Sequence, residues 1–177
     1  MASSIYGRVG GLVGGYSVSC MTTPTSVSGR LGGAVLGGDL MLEIQPPPGR
    51  IAGRVGGVVI GRSVDALFTD SSGNSVRGRM GGIIDGVDIH LSGTDRITGR
   101  CGGPVIGFDA DLSIEDGQMT GRLGGVVAGH SVSLTVAEDL PYVVSALVAV
   151  ITYQYYLIAQ RNSSSSGGGG RHSGRGS

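Results

Sequence analysis

The chain contains no lysine: its thirteen basic residues are all arginine, and thirteen acids balance them to a formal charge of zero. The absence of lysine excludes Schiff-base chemistry and a phosphate-loop lysine. The absence of net charge removes any overall field that would draw the chain to nucleic acid, which is not an expected partner. Cysteine is scarce, and Cys20 and Cys101 lie too far apart for a metal-ligand motif. The three histidines, His90, His130 and His172, include no pair at metal spacing. Asp85, Asp88, Asp109 and Asp111 match no calcium-loop spacing. No nucleophile, base and orienting group fall into a constellation, so the expectation is a protein without enzymatic activity, cofactor or metal. The opening "MASSIYGRVGG" enters a repeated pattern by Ile5, and a cleavable signal peptide is not expected.

What the chain has in excess is glycine, 36 residues of 177. Much of it belongs to a recurring motif, "GRVGG", "GRLGG", "GRMGG" or "GRCGG". With the glycine of each "GR" as position zero, copies begin at Gly7, Gly29, Gly53, Gly78, Gly99 and Gly121. The spacing of about 22 residues marks a repeat architecture. Positions −2, two and six carry large apolar residues, position six being Val13, Val35, Val59, Ile84, Val105 and Val127. Glycine stands at zero, four and eight. This period of two is that of an extended strand whose arginine, at position one, faces away from the apolar side. Apolar residues resume with the opposite parity at positions eleven, thirteen and fifteen, with Thr22 and Gly93 as the exceptions.

The parity change predicts a two-residue type II′ turn at positions eight and nine, pairing position six with eleven and burying it. The fold expected is all-β: six glycine-rich repeats, starting near residues 5, 27, 51, 76, 97 and 119, folded as antiparallel hairpins in a meander that closes into a barrel or stays an open array. A parallel β-solenoid, with one coil per repeat, is the alternative. Glycine on alternate inward positions is expected to let facing strands approach closely. The run Pro46 to Pro48 reads as a stiff surface connection.

The pattern stops after Val136, giving a repeat domain over 1–137. An uncharged run from Tyr142 to Ala159 follows, within an apolar helical segment over 138–160. As a helix it extends about 27 Å, near the thickness of the hydrocarbon core, with tyrosines and Arg161 at its far end as interfacial residues. It reads as a single membrane span. The competing reading is a buried strand or capping helix, since Ser145, Thr152 and Gln154 are polar. Orientation stays open: the arginines after the run place the tail in the cytoplasm, whereas a C-terminal anchor without a signal places the repeats there. Residues 161–177, rich in serine, glycine and arginine, read as a disordered tail.

These features point to a non-enzymatic structural or interaction protein, held at a lipid bilayer by its C-terminal helix, with a protein partner or self-association also open. The alternative is an anion-binding module for RNA or acidic polysaccharide. The residues that would carry binding are Arg8, Arg30, Arg54, Arg79, Arg100 and Arg122, an outward row able to form paired hydrogen bonds to anions. A purely structural reading competes: each arginine covers a glycine with its stem and pairs with an acid on the next strand.

Overall fold

The computed structural model describes residues 3–11, 14–33, 35–57, 61–125 and 128–165. Twelve strands follow one another: β1 Ser3–Val9, β2 Tyr16–Thr23, β3 Ser26–Gly32, β4 Gly37–Ile44, β5 Arg50–Gly56, β6 Gly61–Phe68, β7 Ser75–Met80, β8 Val87–Gly93, β9 Arg96–Gly102, β10 Gly107–Glu115, β11 Gln118–Leu123 and β12 His130–Thr135. Each pairs antiparallel with its sequence neighbours, and β12 returns to pair with β1 from Val9↔Val132 to Tyr6↔Thr135. The result is a closed barrel, neither an open array nor a solenoid. Closure removes both free sheet edges.

Alternation along the strands places apolar residues inside and polar residues outside. In β2, Val18 and Cys20 are buried while Ser17, Ser19 and Thr23 are exposed. A transmembrane barrel carries the reverse pattern, with an apolar band outside. This wall therefore faces water and encloses an apolar lumen.

Twelve strands make that lumen wider than inward side chains can fill, since about eight strands is the size at which they suffice. The remaining space holds α1, Tyr142–Ser165. From Val143 to Tyr155 every residue of α1 is buried. A helix apolar all round needs cover all round, and a closed barrel supplies it. Its small residues, Ala146, Ala149 and the valines, fit between the inward leucines and isoleucines of the wall. The same helix is long and apolar enough to cross a bilayer, with a mean hydropathy of 1.6 over its best window. Length and composition thus fit both expectations for this segment, span and core, and the structure holds it as core.

At one end of the barrel, residues 136–141 fold across the opening and lead from β12 into α1. Val136, Ala137 and Leu140 are buried there. Glu138 N–H donates to Ser3 Oγ, and Thr22 Oγ1 donates to Asp139 Oδ1 at 2.7 Å. Thr22, the polar one of the two interruptions of the apolar slots, is thereby the fastening point of this closure. The Pro46–Gly49 connection lies at the same end, where Gly49 N–H donates to the Pro46 carbonyl.

Position-zero glycines serve a closer approach than the one expected. A Cβ built on Gly29 would strike the backbone of Ser19 and Cys20 on the adjacent hydrogen-bonded strand. The contact relieved lies within the sheet, between neighbours. Glycine kinks of this kind give a barrel its curvature.

The turn expected at positions eight and nine is displaced. Position zero pairs with eleven in all six copies: Gly7↔Val18, Gly29↔Leu40, Gly53↔Val64, Gly78↔Ile89, Gly99↔Ala110 and Gly121↔Val132. Strands therefore end at about position three and resume at about position eight. The cause is the glycine at position three. Gly10, Gly32, Gly56, Gly81, Gly102 and Gly124 all have φ between 87° and 119°, a region that L side chains rarely adopt. There the chain leaves the sheet before position six can reach the core. Position six is thus a loop tip, against expectation: Val35, Ile84 and Val105 are 92%, 99% and 91% exposed. Val13, Val59 and Val127 lie outside the described residues.

Candidate functional site

Antiparallel connectivity puts the loops after β1, β3, β5, β7, β9 and β11 at one end of the barrel, which we call the tip end. The C-terminal part of α1 emerges there. Tyr155 Oη donates to the Gly37 carbonyl at 3.5 Å, and Tyr153 stacks edge-on against Phe108 with centroids 4.7 Å apart. Tyr16 meets Tyr156 at 5.2 Å. His130, at the start of β12, lies with Nδ1 3.3 Å from Tyr153 Oη. These rings close the lumen around the helix, so the mouth is apolar inside and hydroxyl-bearing outside.

The six arginines of position one form a collar just behind the loops, and their first task is local. Nε of Arg8, Arg30, Arg79 and Arg100 donates to the carbonyl of the glycine three residues later, Gly11, Gly33, Gly82 and Gly103. Arg54 reaches Gly57 through Nη2. Arg122 bonds across its loop to the Gly129 carbonyl at 3.0 Å. Glycine at positions three and four contributes no side chain to hold the start of the loop, and the guanidinium braces it there.

The second contact of the collar crosses to position ten. Arg30 pairs with Asp39 at 2.8 Å, Arg79 with Asp88 at 2.7 Å and Arg100 with Asp109 at 2.6 Å. Arg8 bonds Ser17 at 3.4 Å. Arg62 adds a pair with Asp85 at 3.1 Å. Asp111 belongs with Arg96, toward the other half of the barrel. The four aspartates weighed as a calcium set are thus each taken by a separate arginine and do not gather. His90 is on the outer wall of β8, paired in register with Arg100. His172 lies outside the described residues, as does the tail from residue 166.

Both cysteines occupy inward slots. Burial pushes the Cys20 thiol up to about 11, and burial likewise pushes Cys101 up to about 12. Neither is a thiolate near neutral pH.

Beyond the collar stand the position-six residues that the sequence pattern assigns to the core, Val35, Ile84 and Val105, each beside a second apolar residue. Val35 and Leu36, Ile83 and Ile84, and Val105 and Ile106 project from three loops, each at least 70% exposed. Their signal was present in the sequence: an apolar pair bracketed by glycine at positions three, four and eight is poor material for a strand interior. A crevice of about 220 Å³ opens between two of the loops and the emerging helix, lined by Ile106, Phe108, Gly124, Tyr153, Leu157 and Arg161. Comparison of the chain with family models, curated proteins and solved structures finds no match.

Proposed function

We propose that this protein is a non-enzymatic interaction module: a rigid barrel that uses its helix as core and presents the tip end as its contact surface. The observation that carries this reading is the set of six exposed aliphatic side chains on three glycine-flanked loops. Exposed apolar residues scattered singly are ordinary, but a set concentrated at one end marks an interaction site. The collar supports the reading too, because it braces the same loops whose backbone closes on itself, as from Gly33 N–H to the Leu36 carbonyl.

The anchor form of the membrane reading needs α1 to leave the lumen, which would uncover the inward side chains of the wall that pack on it. Burial of each aliphatic side chain is worth about 1.5–3 kcal/mol, so the core role is favoured. The anion-binding alternative rests on the collar alone. Its arginines already donate to loop carbonyls, and three also hold aspartates, which leaves that reading with less support.

Deletion of residues 142–165 separates core from anchor. The core role predicts loss of the cooperative unfolding transition and of native β-sheet circular dichroism. A barrel that stays folded and merely ceases to sediment with membranes would identify α1 as an anchor.

A further inference from the structure

Formal neutrality conceals a strong separation of charge along the barrel. In the half on the tip side of the position-zero glycines stand the six collar arginines, Arg62 and Arg161, against Asp39, Asp85, Asp88 and Asp109. Eight positive and four negative groups leave this half at +4. The other half holds Arg50, Arg77 and Arg96 against nine acids, Glu43, Asp65, Asp70, Asp95, Asp111, Glu115, Asp116, Glu138 and Asp139, and stands at −6. Arg171 and Arg175 of the tail make up the balance to zero. The apolar tips are therefore on the basic end.

We infer that the tip end docks on the surface of an anionic lipid bilayer, with the barrel axis upright and the apolar tips inserted among the headgroups. This rests on the tip end being the contact surface and adds the identity of what it contacts. Three features select lipid. The described tips, after β3, β7 and β9, occupy equivalent positions in hairpins of the same register, so they stand at a common height at one end of the barrel, and a fluid, flat surface meets all of them at once. The arginines stand at position one, behind the tips at position six, so a basic layer backs the apolar one as lipid phosphates back the acyl region. Tyr156, half-buried beside Tyr16 at the mouth, adds an aromatic ring at this end, as tyrosines do at membrane interfaces, whereas Tyr153 and Tyr155 stay buried. A second copy docked tip to tip would instead bring two ends of +4 together. The acidic half points the opposite way and orients the barrel before contact.

The mode differs from a membrane span. Aliphatic tips enter only the interface, and α1 stays inside the barrel, so binding is reversible and weakened by salt. The crevice beside Leu157 and Arg161 extends the apolar surface inward and is placed to receive part of one acyl chain.

The test is co-sedimentation of the full chain with vesicles of phosphatidylcholine alone or mixed with phosphatidylglycerol, together with a triple variant, Val35→Ser, Ile84→Ser and Val105→Ser. All three sites are over 90% exposed, so the variant keeps its core. The expected result is binding to the mixed vesicles only, release by high salt, and roughly tenfold or weaker binding by the variant. Binding that resists high salt and is equal in the variant overturns the inference and the tip-end reading together, and points to helix insertion. Absence of vesicle binding, with self-association by sedimentation velocity that the variant abolishes, overturns the lipid inference and leaves the tip end as an interface between copies. Absence of both overturns the two readings at once.

Discussion

Single residues in this barrel are decided by register. Thr22 occupies a slot otherwise apolar, and its hydroxyl holds Asp139, whose other carboxylate oxygen is buried without a partner. Thr22→Val is expected to destabilise by about 1–3 kcal/mol despite the gain in hydrophobicity, because it leaves the aspartate wholly unpaired. Urea unfolding measures this, and an unchanged midpoint would show that the fastening is unimportant. Gly32 represents the position-three glycines: at φ 87°, a Cβ there would meet Leu36 O and Gly37 Cα. Gly32→Ala should cost about 1–3 kcal/mol by the same assay, whereas Gly57→Ala, where a Cβ meets open space, should cost little. The arginine pairs act more weakly. Arg50 holds the Asp65 carboxyl below its usual range, chiefly through a hydrogen bond, and Arg96 does the same to Asp111. A carboxyl depressed in the folded state contributes above the unfolded carboxylate pKa and loses that contribution as pH falls through its own lower value. In a carboxyl-carbon NMR titration both groups should therefore titrate below about 3.9, and each should return to that value when its arginine becomes glutamine.

Elements obey a simple division of labour. Strands carry alternation, glycine at position three ends one strand of each hairpin, and the arginine two residues earlier braces the loop that follows. α1 is the exception, since its sequence suits a bilayer and a barrel lumen equally. Burial separates the two at particular residues. Leu147 is fully buried within the lumen, so Leu147→Ala should lower stability by about 2–5 kcal/mol in the detergent-free protein. An anchor helix exposed to lipid would tolerate that change, and an unaltered melting temperature would argue for it. Cys20 and Cys101 report on the wall in the same way: both thiols should react with a disulfide reagent only at the rate of global unfolding.

At the scale of the molecule, the barrel is a device for holding loops at one end and charge at both. The strand pattern and the presence of a single apolar C-terminal segment were legible, because period two and parity are local properties of a chain, whereas the register was not: position eleven pairs with zero, not with six. The candidate site was half legible. The arginine row was visible as a regularity, and its outward direction followed from parity. The apolar tips were read as core, because Val35, Ile84 and Val105 continue the alternation that Leu31, Met80 and Cys101 begin. Alternation alone does not reveal where a strand stops.

The sequence by itself determined that alternate residues of each strand form one apolar face, that the arginines stand on the other, and that glycine punctuates both. These follow from backbone geometry within a few residues. Only the tertiary structure decided that β12 closes on β1, that the lumen so formed takes the helix, and that an apolar residue at position six is a tip. Closure depends on curvature accumulated over twelve strands, and the helix gains its place only once a cavity of the right width exists. The loops acquire a common end, and the charges a common axis, only when all the hairpins are assembled side by side.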